Sequence, residues 1–233
     1  MLKYFMTDVH GEYKGLELLL RYAEIDFTSD QLVFGGDSIN RGRQSGKVIK
    51  RVKELTEAYP QNVVALIGNH EEMMRDYYQR GNVLWLSHGG KDTIRDLEKT
   101  FPNEKVRTEH IEWASNLPLV YEDDEFVYTH AGLNPFEPLD KQSRDIIWMS
   151  EFDFYSISKE DLMSLTQRRP VVHGHTPCER IYFDGSRLNC DMGSNTYMIE
   201  EERGLGLVNL TEMTYLVYRQ YHTKIEKREI ARF

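Results

Sequence analysis

Apolar residues set the period of the chain from its first positions. "LKYFMTD" is a nearly unbroken apolar run that predicts a buried strand. "YKGLELLLRYAEI" follows, with Leu16, Leu19, Leu20 and Ala23 at the 3, 4 and 7 offsets of an amphipathic helix. "QLVFGGD" predicts a second strand, and Val48, Ile49, Val52 and Leu55 share one face of a second helix. "NVVALIGNH" and the helical "EEMMRDYYQR" repeat the unit. Three strand–helix units with continuous apolar strands predict a parallel sheet covered on both faces, with right-handed crossovers.

From about Gly81 to Pro118 the pattern turns helical and charged, with Trp85, Ile94, Leu97 and Trp113 as anchors, and a helical cap over one end of the sheet is expected. Alternation then takes over. "LVYEDDEFVYTHAG" predicts a hairpin turning at Asp123–Asp124, and "PVVHGHT", "RIYFDGSRLNCD", "TYMIEE", "LGLVNL" and "MTYLVYRQ" predict further strands in a second, largely antiparallel sheet. No repeat or Pro/Ser-rich linker interrupts the 233 residues, so one domain spanning 1–233 is expected, with the cap at about 81–118 inside it.

Composition narrows the function classes. The net charge of −9 argues against a surface that grips long nucleic acids, while leaving room for a local phosphate pocket. No apolar stretch approaches the ~18 residues of a membrane span, and the N-terminus lacks a signal-peptide pattern. Cys178 and Cys190 lack CxxC spacing, so neither a disulfide framework nor a zinc knuckle is indicated and a cytoplasmic setting is the expectation.

The chemistry collects at strand ends. Predicted strands run into "TDVHG" (Asp8, His10), "GGDSINRG" (Asp37), "GNHE" (Asn69, His70), "THAG" (His130) and "HGHT" (His173, His175). Carboxyl ends of parallel strands converge on one crevice. Two aspartates, an asparagine and several imidazoles form a mixed oxygen and nitrogen set suited to Mn²⁺, Fe or Zn²⁺. His88, His110 and His222 lie outside these clusters and read as structural.

In order, "DVHG", "GDSINRG", "GNHE", "HAGLNP" and "GHTP" resemble the signature of the phosphoprotein phosphatase branch of the calcineurin-like metallophosphoesterases in its bacterial form. Weaker likenesses in "NPFEPLDKQ" and "NCDMGS" point to members that act on phosphoserine and phosphothreonine, or on dinucleoside polyphosphates. The resemblance implies two packed mixed β-sheets flanked by helices. It also implies two divalent ions, Mn²⁺ first among them: Asp8 and His10 on one, Asp37 bridging, and Asn69, His130 and His175 on the other. His70 matches the general acid and Arg41 an arginine that holds phosphoryl oxygens, whereas His173 falls off the ligand position.

Two positions depart from the family pattern. Asn40 stands where GDxxDRG has its second aspartate, the partner of the acid histidine; the amide oxygen is expected to accept a hydrogen bond from His70 without supplying its charge. Ser150 in "WMSEF" stands where related sequences carry a second phosphate-clamping arginine, and Arg43, Arg144, Arg168 and Arg169 are the candidate substitutes. The first expectation is a serine/threonine protein phosphatase acting through a metal-activated water on a phosphorylated protein. A bis(5'-nucleosyl)-tetraphosphatase-like hydrolase with a nucleotide substrate is the alternative, and a catalytically impaired metal- or phosphate-binding module is the reading from another class.

Overall fold

The structure is a computed structural model describing residues 1–232. In chain order its elements are β1 (Lys3–Met6), α1 (Tyr13–Tyr22), β2 (Gln31–Phe34), α2 (Ser45–Ala58), β3 (Val63–Ala65), α3 (Asn69–Arg80), α4 (Lys91–Thr100), α5 (Glu104–Ser115), β4 (Val120–Glu122), β5 (Val127–Thr129), α6 (Glu151–Ser156), α7 (Lys159–Leu165), β6 (Val171–His173), β7 (Tyr182–Phe183), β8 (Arg187–Asn189), β9 (Gly204–Asn209), β10 (Thr214–Arg219), β11 (Lys224–Glu229) and β12 (Ala231–Arg232). They build two six-stranded mixed sheets, ordered β11-β10-β9-β1-β2-β3 and β12-β7-β8-β6-β5-β4.

Period-2 alternation assigns the layers. Tyr4 and Met6 of β1, with Leu32 and Phe34 of β2, face Leu16, Leu19 and Leu20 of α1 and Val48, Val52 and Leu55 of α2. Their neighbours Phe5 and Val33 point the other way, into a core shared with Tyr128, Val172 and Leu188 of the second sheet. On that sheet's outer face Val127 and Val171 pack with Ile146, Phe154 and Leu162. The result is a helix–sheet–sheet–helix sandwich.

The first three strands pair in parallel as the apolar runs predict. The C-terminal expectation is corrected in two ways. β9, β10 and β11 join the first sheet through an antiparallel pairing of β9 with β1, and the second sheet contains the parallel pairs β5–β6 and β6–β8 beside the β4–β5 hairpin. "TYMIEE" is no strand: Met198 is 94% exposed and Glu200–Glu202 form a 3₁₀ turn. In the helical region, Trp85, Leu97 and Ile111 pack with Ile49, Met73 and Met74, so that α4 and α5 lean on α2 and α3.

Candidate metal centre

The carboxyl ends of β1, β2 and β3 in one sheet and of β5 and β6 in the other open into one crevice. Backbone bonds tie the ends together: Asp8 N–H donates to Gly36 O (3.1 Å), His10 N–H to Asp37 O (2.9 Å) and Gly174 N–H to His130 O (2.7 Å). Crossing from sheet to sheet, His175 N–H donates to Asp8 Oδ2 at 3.0 Å. The motif glycines leave room for this convergence. A Cβ at Gly68 would lie 2.2 Å from Asp37 Oδ1, and one at Gly174 the same distance from Asp8 Oδ2. Asp8, His10, Asp37, Asn40, Arg41 and His175 all hold left-handed backbone, with φ between 45° and 75°. Such conformations concentrate at functional sites because a non-glycine residue keeps one only under the pull of its surroundings.

Hydrogen bonding fixes where the lone pairs point. His10 Nδ1 lies 2.8 Å from Ile39 O and His130 Nδ1 2.8 Å from Gly35 O. A carbonyl only accepts, so in each ring Nδ1 carries the proton and Nε2 presents a lone pair. His10 Nε2 faces Asp37 Oδ2 (3.6 Å) and Asp8 Oδ1 (3.9 Å), and the latter oxygen is buried without a hydrogen-bond partner. His130 Nε2 faces Asn69 Oδ1 (3.1 Å) and Asp37 Oδ1 (3.6 Å), while His175 Nδ1 stands 3.2 Å from Asn69 Oδ1 and from His130 Nε2. Asp8 Oδ1 has no donor and His130 Nε2, its proton on the other nitrogen, meets two oxygens; in a dry pocket such acceptors cost free energy unless a cation lies among them. The donor set therefore fits divalent metal. Asp37 belongs to both clusters of ligand-type atoms, one with His10 and His70 and one with His130 and His175, each within 4.8 Å.

The electrostatics agree with that arrangement. Burial raises the Asp37 carboxyl well above its usual range, and the neighbouring Asp8 and Glu71 add to the effect. Burial lowers His10 well below the ordinary imidazole value, with Arg41 next in effect, and lowers His175 to about 4. The site is a concentration of carboxylate charge and neutral imidazole, the composition that a cation relieves.

Of the residues the motifs single out, all six candidate ligands meet in the crevice, with His70 and Arg41 at its edge. His70 Nε2 is 3.9 Å from Asp37 Oδ2. Arg41 Nη1 donates to His10 Nε2 at 3.1 Å and to the Thr196 hydroxyl. His173 stays apart, its Nε2 accepting from the Tyr155 hydroxyl at 3.3 Å beside the Phe154 ring.

The expectation for Asn40 is corrected. Its Oδ1 accepts from Trp85 Nε1 (3.1 Å) and from the Thr93 hydroxyl (2.7 Å), and its Nδ2 faces His70 Nδ1 at 2.5 Å. Indole N–H can only donate, so the amide oxygen is committed to Trp85 and the amide nitrogen must donate to His70. His70 Nδ1 is then the acceptor, and the neutral ring carries its proton on Nε2. Burial first, and then His10 and Arg41, hold His70 well below its ordinary pKa.

Ser150 has no part in the crevice: it caps α6, accepting from Asp153 N–H at 3.1 Å. Arg144 is bound to Glu72 at 2.8 and 2.5 Å, and Arg169 to Glu122 and Asp123 O. Arg168 precedes β6, at the strand end opposite His173. Sequence reasoning missed Glu71. Buried in the first turn of α3, its carboxylate accepts from the N–H groups of Asp37 (2.9 Å), Ser38 (2.8 Å) and Gly68 (3.0 Å), fastening the Asp37 loop to the helix that carries Asn69. The available signal was a carboxylate in the first turn of a predicted helix, just after a glycine-containing strand end.

Comparison with known proteins bears on the same residues. The calcineurin-like phosphoesterase profile matches residues 1–199. A Vibrio campbellii protein named a symmetrical bis(5'-nucleosyl)-tetraphosphatase is 28% identical over 209 residues, covering 82% of this chain and 72% of its own. Among solved structures, a protein serine/threonine phosphatase from Saccharomyces cerevisiae superposes with a TM-score of 0.70 at 16% identity, covering 99% of this chain and 80% of that one. A cold-active protein-tyrosine phosphatase of a Shewanella species gives 0.67 at 19%, covering 97% and 80%. At these identities the two structures speak for the fold alone.

Proposed function

Because the chain belongs to the calcineurin-like phosphoesterase family, we propose that it is a metal-dependent hydrolase of phosphoanhydrides, with a dinucleoside polyphosphate as substrate. Asp8 and His10 would hold one divalent ion and Asn69, His130 and His175 a second, with Asp37 between them; Mn²⁺ is the expected metal. Two such ions polarise phosphoryl oxygens and lower the pKa of a shared water, so that hydroxide is available near neutral pH. Arg41 would direct its guanidinium at the phosphoryl oxygens.

The observation that carries the substrate class is the hydrogen bond from Asn40 to His70. A histidine that protonates a leaving alkoxide must itself be imidazolium, or become an anion on giving up its proton. Here Nδ1 is engaged as an acceptor, and protonating it would set N–H against N–H. His70 is therefore a hydrogen-bond donor through Nε2 and a poor source of a whole proton. That is a handicap against the alkoxide of serine or threonine. It matters little when the leaving group is a nucleotide phosphate, whose conjugate acid has a pKa near 6. The name of the Vibrio relative agrees, and together these observations reverse the order of preference drawn from the motifs.

The test is a comparison of diadenosine tetraphosphate with a phosphothreonine peptide, both with Mn²⁺, following nucleotide products by chromatography and phosphate by colour. A kcat/KM at least a hundredfold higher for the dinucleotide is expected. Preference for the peptide would return the protein to the phosphoprotein phosphatases, and no turnover of either substrate or of p-nitrophenyl phosphate would make it a binding module.

A further inference from the structure

A cavity of about 500 Å³ opens beside the metal centre, between the start of α1, the first turns of α2 and the end of α4. Its lining carries five basic side chains, Arg43, Lys47, Lys50, Arg51 and Lys99, against two acidic ones, Glu54 and Asp96, in a chain whose net charge is −9. Both acids have partners: Asp96 Oδ2 accepts from Gly46 N–H at 2.7 Å, and Glu54 offsets Lys50 within the lining, 3.9 Å away. Arg51 is bound to Glu17 at 2.7 Å. Among the described residues Arg43, Lys47 and Lys99 have no carboxylate partner, and Lys47 rests over the Tyr13 ring, 5.5 Å from its centre. The three free cations face one volume.

The cavity and the crevice share a backbone wall. Gly42 N–H donates to His10 O at 3.0 Å and Gln44 N–H to Gly11 O at 3.2 Å, so the wall bearing Arg43 lies directly against the loop bearing His10. Arg41 and Arg43 flank Gly42, one at the metal centre and one at the cavity. The volume lies within the range that small ligands occupy, and clustered cations in an acidic protein focus potential on an anion.

We propose that this basic cavity binds the nucleotide half of the substrate that departs, so that the phosphorus attacked at the metal centre is followed along the chain by phosphates held against Arg43, Lys47 and Lys99. The proposal rests on the phosphoanhydride reading. It gives the missing second clamp a different location: where the family pattern has an arginine in place of Ser150, this chain has a cationic wall built from the Arg43 loop, α2 and α4.

The test is the double variant Lys47→Glu/Lys99→Glu, with Lys47→Gln/Lys99→Gln as the milder form and thermal unfolding as the check on folding. With Mn²⁺ present, the Kd for ADP by calorimetry should rise at least tenfold in the charge-reversed protein and less in the neutral one. The ratio of kcat/KM for diadenosine tetraphosphate to that for p-nitrophenyl phosphate should fall by a similar factor, through KM. Unchanged ADP affinity in both folded variants, no ADP binding by the wild type, or an equal loss on both substrates would overturn the cavity. If the wild type hydrolyses p-nitrophenyl phosphate and not the dinucleotide, the substrate reading fails by itself. The ADP affinities then decide the cavity alone.

Discussion

Asn40→Asp places a carboxylate where the amide nitrogen now stands 2.5 Å from His70 Nδ1. Trp85 Nε1–H and the Thr93 hydroxyl stay in position to donate to the other oxygen, so the new acid is satisfied by three partners. Two opposite charges about 4 Å apart interact by about 4 kcal/mol at an effective dielectric of 20. Burying the carboxylate cancels part of that, and a charge-assisted hydrogen bond nets about 1.5–3 kcal/mol. This favours His70 protonated on both nitrogens, Nδ1–H to Asp and Nε2–H to the crevice. Proton delivery should ease by about one to two powers of ten. Turnover of a phosphoserine peptide, where the alkoxide needs that proton, should rise at least tenfold in kcat/KM, while diadenosine tetraphosphate and p-nitrophenyl phosphate change by less than about threefold. The assay is steady-state kinetics on the three substrates with saturating Mn²⁺, with thermal unfolding to verify that the variant folds. A uniform gain, or none, would refute the assignment of the amide nitrogen to His70.

Other consequences are as direct. Asp37→Asn should lower bound metal, read by elemental analysis of protein dialysed against Mn²⁺, from about two ions per chain to one or none, and abolish turnover; full occupancy would contradict the shared carboxylate. Arg41→Ala should cost on the order of 2–4 kcal/mol in kcat/KM for loss of a charge-assisted contact to the phosphoryl oxygens, and a loss under about fivefold would move the clamp elsewhere. Asp123 should make stability pH-dependent. Burial works to raise its carboxyl, but the N–H groups of Glu125 and Phe126, the Tyr128 hydroxyl and Lys3 Nζ at 3.1 Å more than offset it, and the folded pKa is depressed. Its contribution is complete above the unfolded value of about 3.9 and disappears as pH falls through the lower folded value. Asp123→Asn should therefore lower the unfolding free energy by about 2 kcal/mol at pH 7, and the gap to wild type should close on titration below pH 4; a gap that persists in acid would exclude the carboxylate as its source.

The crevice was legible because each of its elements announces itself locally. An apolar strand, a glycine and a polar cluster lie within a few residues, and parallel strands have no choice about which end they bring together. What escaped the sequence depends on partners far along the chain. Alternation in "LGLVNL" and "MTYLVYRQ" predicts strands but is silent about which sheet edge they join, and the open edge of β1 decided it. Val-like residues in "TYMIEE" count as strand formers only if buried, and Met198 is not. Asn40 was readable as a departure but not as a donor. Its orientation is set by Trp85 and Thr93, which lie 45 and 53 residues away, the first read only as an anchor of the cap. Glu71 was hidden by a more ordinary role, an acid in the first turn of a helix.

The left-handed backbone at Asp8, His10, Asp37, Asn40, Arg41 and His175 has a consequence for how this molecule can vary. A side chain held there costs about 1 kcal/mol relative to glycine, so the six together oppose folding by an amount comparable with the whole net stability of an ordinary domain, about 5–15 kcal/mol. Selection for heat resistance alone would thus find ready gains in glycine at the very positions the chemistry needs, as stability and activity pull in opposite directions there. Lineages that lost the activity would be expected to relax at these sites first, into a firmer protein with the same two sheets and an empty crevice.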